Sequence, residues 1–293
     1  MAVDSYSHTQ NCGSSCCGFV MRDQSELLQF IPSRPLDAHK WQSACWVIAG
    51  SPGMEGAAIL AARAAQRSGA GYVRLSVPNA ESVEAPLEVV VTKIEKNLEL
   101  EDIDRFASLI VGPGIGTDSA IMEGVRGLLR KIRKPVVVDG DGLKALRNFS
   151  FKEEVSTSTV LTPHDGEFES ITGIKVTKDR ERSAMQLSEE AGAVVLLKGP
   201  TTVVASPQGQ IEKIKAGDQR LATAGSGDVL SGIIGAFLAR GATGFDAACA
   251  GAFIHGKLLS KLPMTGVVAG DLDEPLPRLL ERFGLDSQRE INE

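Results

Sequence analysis

The stretch Leu109-Ile110-Val111-Gly112-Pro113-Gly114-Ile115-Gly116-Thr117-Asp118 decides how this chain is read. An apolar run ends in a turn rich in glycine. A helix-patterned segment, 119–131, follows, and a second apolar run, Val136-Val137-Val138-Asp139, comes after it. Apolar run, turn, helix of about 10–15 residues and apolar run again make a βαβ unit, whose two strands lie parallel in one sheet. Runs such as Val136-Val137-Val138 carry no alternating polar positions, so both faces need cover, and helices supply it.

The alternation extends both ways from this unit. Strands are expected at 45–49, 72–77, 89–91, 109–111, 136–139, 160–162, 194–198, 203–205 and 211–214. Helices are expected at 25–30, 56–68, 119–131, 167–172, 178–191, 227–240 and 247–262. Two runs near 198–214, with Pro207-Gln208-Gly209 in the turn, read as an antiparallel pair. The expected fold is α/β, a mostly parallel central sheet with helices on both faces. It forms one domain over 23–293, behind a leader over 1–22 expected to be disordered. Cys12, Cys16 and Cys17 crowd into that leader without a C-x-x-C pair or a histidine at ligand spacing.

Composition narrows the function classes. The chain has 293 residues, and 31 Lys+Arg against 37 Asp+Glu give a net charge of −6, which argues against a nucleic-acid partner. Hydrophobic residues at 43% and charged residues at 23% exclude wholesale disorder. No apolar run is long enough to span a membrane, and the start lacks a secretory pattern. Five cysteines, an odd number, point to a reducing cytoplasm. Glycine, at 31 residues, exceeds the usual ~7% and must serve turns or close approach to a ligand.

In a doubly wound sheet, ligands bind beyond the carboxyl ends of the strands, so the turns there are where chemistry is sought. In Ala222-Thr223-Ala224-Gly225-Ser226-Gly227-Asp228-Val229, the glycines let backbone N–H groups converge at a helix N-terminus, an anion hole suited to a phosphoryl group. Asp228 is then either a base for a hydroxyl attacking phosphorus or a helix cap. The turn 112–116 is not G-x-G-x-x-G, and it either admits a ligand or merely turns the chain. Gly56, Ala57 and Ala58, after Gly50-Ser51-Pro52-Gly53, would let a flat ligand lie on a helix start or serve tight packing. In Leu161-Thr162-Pro163-His164-Asp165-Gly166-Glu167, His164 could bond a ligand and Glu167 could hold Mg²⁺ through water. In Leu197-Lys198-Gly199-Pro200-Thr201-Thr202, the lysine could meet a phosphate as a point charge, or simply edge the sheet. Asp139 and Asp141 could orient substrate or metal, or cap the next helix. There is no P-loop, G-x-S-x-G elbow or H-E-x-x-H pair.

Taken together, the loops 50–58, 111–116, 136–143, 161–167, 198–202 and 221–232 resemble the ADP-dependent (S)-NAD(P)H-hydrate dehydratase family of the ribokinase-like superfamily. Ala38-His39-Lys40-Trp41 is similar to it too, and the resemblance covers about 25–285. It implies an enzyme that restores hydrated nicotinamide cofactors, using ADP or ATP and Mg²⁺. The 6-hydroxyl of the hydrate is phosphorylated and phosphate is then eliminated, so the enzyme is a lyase in outcome. By the same resemblance, Asp228 is the base and Gly225, Ser226 and Gly227 stabilise the transferred phosphoryl group. Lys198, Gly199, Pro200, Thr201, Thr202 and Gly227 contact the nucleotide. Ala58, Gly114, His164 and Asp228 line the hydrate site, and Glu167 attends Mg²⁺ through water. A homo-oligomer is implied, tetramers being the family's tendency, and the epimerase that many relatives carry as an N-terminal domain is expected on a separate protein.

Departures from the family pattern are Asp165 where proline is common, Ala224 and Ser226 in the anion-hole turn, and Gly140 and Gly142 where alanine is frequent. Asp165 would add negative charge near the anion sites. Two rival readings share the anion hole: a kinase of a hydroxymethylpyrimidine or thiazole alcohol, and a nucleotide binder without catalysis. The His164 loop and the small residues at 56–58 favour the dehydratase over the first. Asp228 speaks against the second, since a pure binder needs no base there.

Overall fold

The computed structural model describes residues 24–147 and 158–286. The expected leader and its three cysteines lie outside them. Among the described residues, nine strands form one sheet in the order β3-β2-β1-β4-β5-β6-β7-β8-β9. They are β1 (Ala44–Ile48), β2 (Tyr72–Ser76), β3 (Val90–Val91), β4 (Ser108–Val111), β5 (Val136–Val138), β6 (Thr159–Leu161), β7 (Val194–Leu197), β8 (Thr202–Ala205) and β9 (Ile211–Ile214). β1 to β7 pair in parallel. The expected antiparallel pair is β8 and β9, with Thr202 opposite Ile214. β7 also runs antiparallel to β8, a pairing the sequence reading did not assign. Only four residues separate them, too few for the crossover that parallel strands require.

The eight α-helices are α1 (Glu55–Arg67), α2 (Ser119–Lys131), α3 (Asp141–Lys144), α4 (Asp165–Thr172), α5 (Arg180–Ala191), α6 (Ser226–Ala239), α7 (Gly244–Leu258) and α8 (Leu276–Arg282), all among the described residues. All five residues of β1 are buried because its alternate side chains enter two cores. Cys45 and Val47 join α1, α6 and α7 on one face, whereas Trp46 and Ile48 join α2, α4 and α5 on the other. The expected 25–30 helix is a 3-10 helix at Gln24–Phe30, and 247–262 breaks into α7 and a 3-10 turn at Leu259–Lys261.

α1 and α6 pack closely because their facing residues are small. A Cβ on Gly232 of α6 would stand 2.6 Å from the Cβ of Ala64 and against the carbonyl oxygen of Ala61. This contact sets the position of α6, and with it the loop at its N-terminus.

Candidate active site

The loops at the carboxyl ends of the strands are tied to one another. Gly50 N donates to Pro113 O (2.7 Å) and Ser51 Oγ to Gly114 O (3.0 Å), joining the turns after β1 and β4. Gly112, with φ near +115°, meets Gly142 backbone to backbone: a Cβ on it would stand 2.6 Å from Gly142 Cα. Asp141 Oδ2 accepts from Gly116 N (3.1 Å), so this carboxylate fixes the glycine turn.

The helix caps differ in a telling way. α2, α4, α5 and α7 begin at side chains that accept from their first-turn N–H groups: Asp118, His164, Asp179 and Thr243. α1, α3 and α8 have no side-chain cap, and neither has α6, which begins at Gly225 with φ near +90°. The first N–H groups of a helix need acceptors, and an anion can supply one. Ser226 does not share in this. Its N donates to Thr223 O (3.3 Å) and its Oγ to Leu221 O (2.6 Å). It shapes the turn, which leaves Gly227 and Asp228 as the donors. Beneath the turn, burial holds His255 of α7 neutral, its pKa lowered to about 4, although a bond to the Ser226 backbone opposes this.

Behind the turn lies an ion-pair cluster. Lys198 Nζ, just past β7, donates to Asp139 Oδ1, just past β5, at 2.8 Å. It also stands 3.4 Å from Glu167 Oε2. Asp139 is 2% exposed, and its Oδ2 accepts from Ser231 Oγ of α6 (2.8 Å). Burial would raise the pKa of Asp139, but the Lys198 charge and hydrogen bonds from Lys198, Thr162 and Ser231 hold it low. Burial would likewise lower that of Lys198, and Asp139 and Glu167 hold it high. Both groups are therefore ionised. A Cβ on Gly227 would lie 3.5 Å from Lys198 Nζ and 3.7 Å from Asp139 Oδ2, so the pair abuts the uncapped helix end.

Asp228 sits half-buried in the first turn of α6, its carboxylate without a hydrogen bond or ion pair to another described residue. Its pKa is pushed up to about 7, first by burial, then by the charge of Asp139, against the opposing pull of Lys198. A carboxylate that titrates near neutrality can take a proton and release it again.

A family model described as NAD(P)H-hydrate dehydratase matches residues 45–277. The chain belongs to that family. It is 36% identical over 252 residues to the ADP-dependent (S)-NAD(P)H-hydrate dehydratase of Neisseria meningitidis serogroup B, covering 81% of this chain and 84% of the relative. It is 35% identical over 279 residues to the bifunctional NAD(P)H-hydrate repair enzyme Nnr of Salinibacter ruber, covering 86% of this chain and 51% of the relative. The chain thus spans about half the length of the bifunctional relatives it matches. The ADP/ATP-dependent NAD(P)H-hydrate dehydratase of Bacillus subtilis, co-crystallised with ATP/Mg²⁺, superposes with a TM-score of 0.80 at 27% identity, over 90% of this chain and 98% of that one. The fold is ribokinase-like.

Within this dehydratase-family frame, Asp228, Gly227, Lys198 and Glu167 come together as the sequence suggests. His164 joins them through Glu167: it caps α4 by accepting at Nδ1 from Gly166 N (3.0 Å) and Glu167 N (3.3 Å), while Glu167 Oε2 accepts from His164 N (2.8 Å). Its Nε2 faces Glu167 Oε1 at 3.4 Å. Gly114 lies at the rim, at φ near +59°, where a Cβ would stand 2.8 Å from that of Ala57.

Two of these expectations need correction, those for Ala58 and Asp165. The side chain of Ala58 lines no open surface: it is 0% exposed, and a Cβ on Gly50 would stand 3.0 Å from its own. Gly199 is exposed, with one side taken by Arg180: a Cβ there would stand 2.6 Å from Nη2. The charge of Asp165 is matched, because Arg180 Nη1 donates to both its oxygens at 2.8 and 3.0 Å. Pro200 is exposed, Thr201 half-buried, and Thr202 opens β8. Asp139, which the sequence offers as a residue to orient substrate or metal or to cap the next helix, forms the buried ion pair with Lys198. Its signal was a carboxylate closing an apolar strand, but its partner Lys198 lies 59 residues away.

Proposed function

We propose that the chain removes water from the S epimer of NADH and NADPH hydrates, with ADP or ATP as phosphoryl donor, returning the reduced cofactor. The observation that carries this is Asp228, a carboxylate titrating near pH 7 in the first turn of a helix whose N-terminus has no side-chain cap. Family membership supports the substrate class.

The chemistry follows from the arrangement. Hydroxide leaves poorly, so the 6-hydroxyl of the hydrate first attacks the terminal phosphorus of the nucleotide. Asp228 takes the hydroxyl proton as the oxygen–phosphorus bond forms and the shortened nucleotide departs. The N–H groups of Gly227 and Asp228 face the charge that develops on the transferred group, where preorganised donors contribute most. Lys198 adds its charge behind Gly227. The bond from C6 to the phosphorylated oxygen then breaks, pushed by the ring nitrogen lone pair. Loss of a C5 proton restores the double bond.

Mg²⁺ suits this site only in part. Among the described residues, no three His, Cys, Asp or Glu side chains come together as a metal cage. Glu167 Oε2 is engaged by His164 N and Lys198, and Oε1 faces His164 Nε2 at 3.4 Å, so this carboxylate would hold Mg²⁺ through water and not directly. That agrees with the ion's habit of keeping waters and binding phosphates with few carboxylates. Bound there with the nucleotide, the ion would neutralise phosphate charge.

The test is direct. Purified protein with NADH hydrate, Mg²⁺ and either ADP or ATP should recover the absorbance of the reduced nicotinamide. Nucleotide binding with no recovery from either donor overturns the reading.

A further inference from the structure

We propose that Arg180 is a positioning residue for the nucleotide, holding the loop 198–202 in register with the His164 turn, and that Asp165 fixes its guanidinium in place. The proposal rests on the reading of 198–202 as the nucleotide loop.

Arg180 is the first residue of α5, and neither of the two loops it joins belongs to that helix. Its Nη1 donates to both oxygens of Asp165, the first residue of α4 and the neighbour of His164. Its Nη2 donates to the carbonyl oxygen of Lys198 (2.7 Å). The same edge of the guanidinium lies over Gly199, where a Cβ would stand 2.6 Å from Nη2 and 3.3 Å from Nε. One rigid, planar fork therefore binds a carboxylate on one side and a backbone oxygen on the other. A lysine ammonium cannot reproduce this geometry, because its donors radiate from a single point.

The consequences for the loop are specific. The Lys198 carbonyl immediately precedes Gly199, so fixing that oxygen fixes the peptide plane leading into 199–202. The side chain of the same Lys198 reaches Asp139 and Glu167. Arg180 thus sets the backbone of a residue whose ammonium lies behind Gly227. Glycine at 199 also gains a reason: it leaves room for Arg180. The guanidinium is only 22% exposed at its side chain, whereas Asp165 is 61% exposed, so the anchor can be altered at the surface without opening the core.

The experiment measures ADP and ATP dissociation constants by calorimetry, and the hydrate KM, for wild type, Arg180→Met, Arg180→Lys, Asp165→Asn and Gly199→Ala. Losing a charge-assisted hydrogen bond should weaken nucleotide binding by about tenfold or more in Arg180→Met. Arg180→Lys should recover only part of this. Gly199→Ala, which displaces the guanidinium without removing its charge, should weaken binding in the same direction. The hydrate KM should change by less than the nucleotide constant, a split that general loosening of the fold would not give. Melting temperatures identify any variant that fails to fold, and Asp165→Asn and Gly199→Ala then carry the test. Wild-type binding with unchanged nucleotide constants in Gly199→Ala and the Arg180 variants overturns the proposal alone. Absence of nucleotide binding in the wild type overturns the nucleotide reading, and the proposal with it.

Discussion

Lys198 Nζ lies 2.8 Å from Asp139 Oδ1, across the ends of two strands that are not neighbours in the sheet. β6 runs between them, and its following residue Thr162 adds a hydrogen bond to the same carboxylate. The pair sits directly behind the open N-terminus of α6. It sets the field in which Asp228 titrates, Asp139 raising its pKa and Lys198 lowering it.

Asp228 should dominate the pH profile. With its pKa raised to about 7, the base is increasingly protonated below that point, and kcat/KM should fall toward tenfold per pH unit on the acid side. Asp228→Asn should lower kcat by about 10²–10⁴ while nucleotide binding persists. The stability effect has the opposite sense. A carboxylate whose folded pKa exceeds its unfolded value favours folding when protonated and loses that benefit as pH rises through about 7. The asparagine variant should therefore be more stable at pH 8 by about 1–3 kcal/mol, measured by urea unfolding.

Asp139→Asn should do two separable things. Lys198 would keep only Glu167, and breaking a buried pair costs about 3–5 kcal/mol, so the lower end is expected in chemical denaturation. In the wild type, the depressed pKa of Asp139 means its stabilisation is present above the unfolded pKa and lost as pH falls through the folded one. With the Asp139 charge gone, the acid limb of kcat/KM should move to lower pH. An unmoved limb would show that Asp139 does not tune Asp228.

Gly227→Ala separates folding from function. Its Cβ would make only ordinary contacts, 3.5 Å from Lys198 Nζ, and the position is helical. Alanine should stabilise the helix by up to about 1 kcal/mol. The same methyl would stand where the transferred group must approach. The melting temperature should hold or rise while turnover falls at least tenfold, about 1.4 kcal/mol in barrier.

Gly232→Val is the packing control. Its side chain would enter the backbone of α1 at Ala61 and the methyl of Ala64. Overpacking of this kind costs about 1–3 kcal/mol, and the loss should appear in denaturant midpoint before activity is assayed.

Strand positions were legible to within a residue or two, most plainly where a buried strand is a continuous apolar run, as in β5 and β7; 211–214 and 119–131 also match β9 and α2 without adjustment. α8 escaped notice because its seven residues carry a proline at the helix start and too little periodicity. The antiparallel pairing of β7 with β8 follows from a short connection, yet nothing local in either strand distinguishes it from its neighbours.

The sequence by itself determined the alternation of strands and helices, the glycine turns at strand ends, and the placing of Asp228 after Gly225-Ser226-Gly227. These are local facts of periodicity and backbone freedom. Only the tertiary structure decided which side chains meet. It buried Ala58, matched Asp165 with Arg180, turned Ser226 toward Leu221, and set Asp139 between Lys198 and Ser231. The physical reason is distance along the chain. Asp139 reaches partners 59 and 92 residues away, and only the order of strands in the sheet brings such groups within a hydrogen bond of each other.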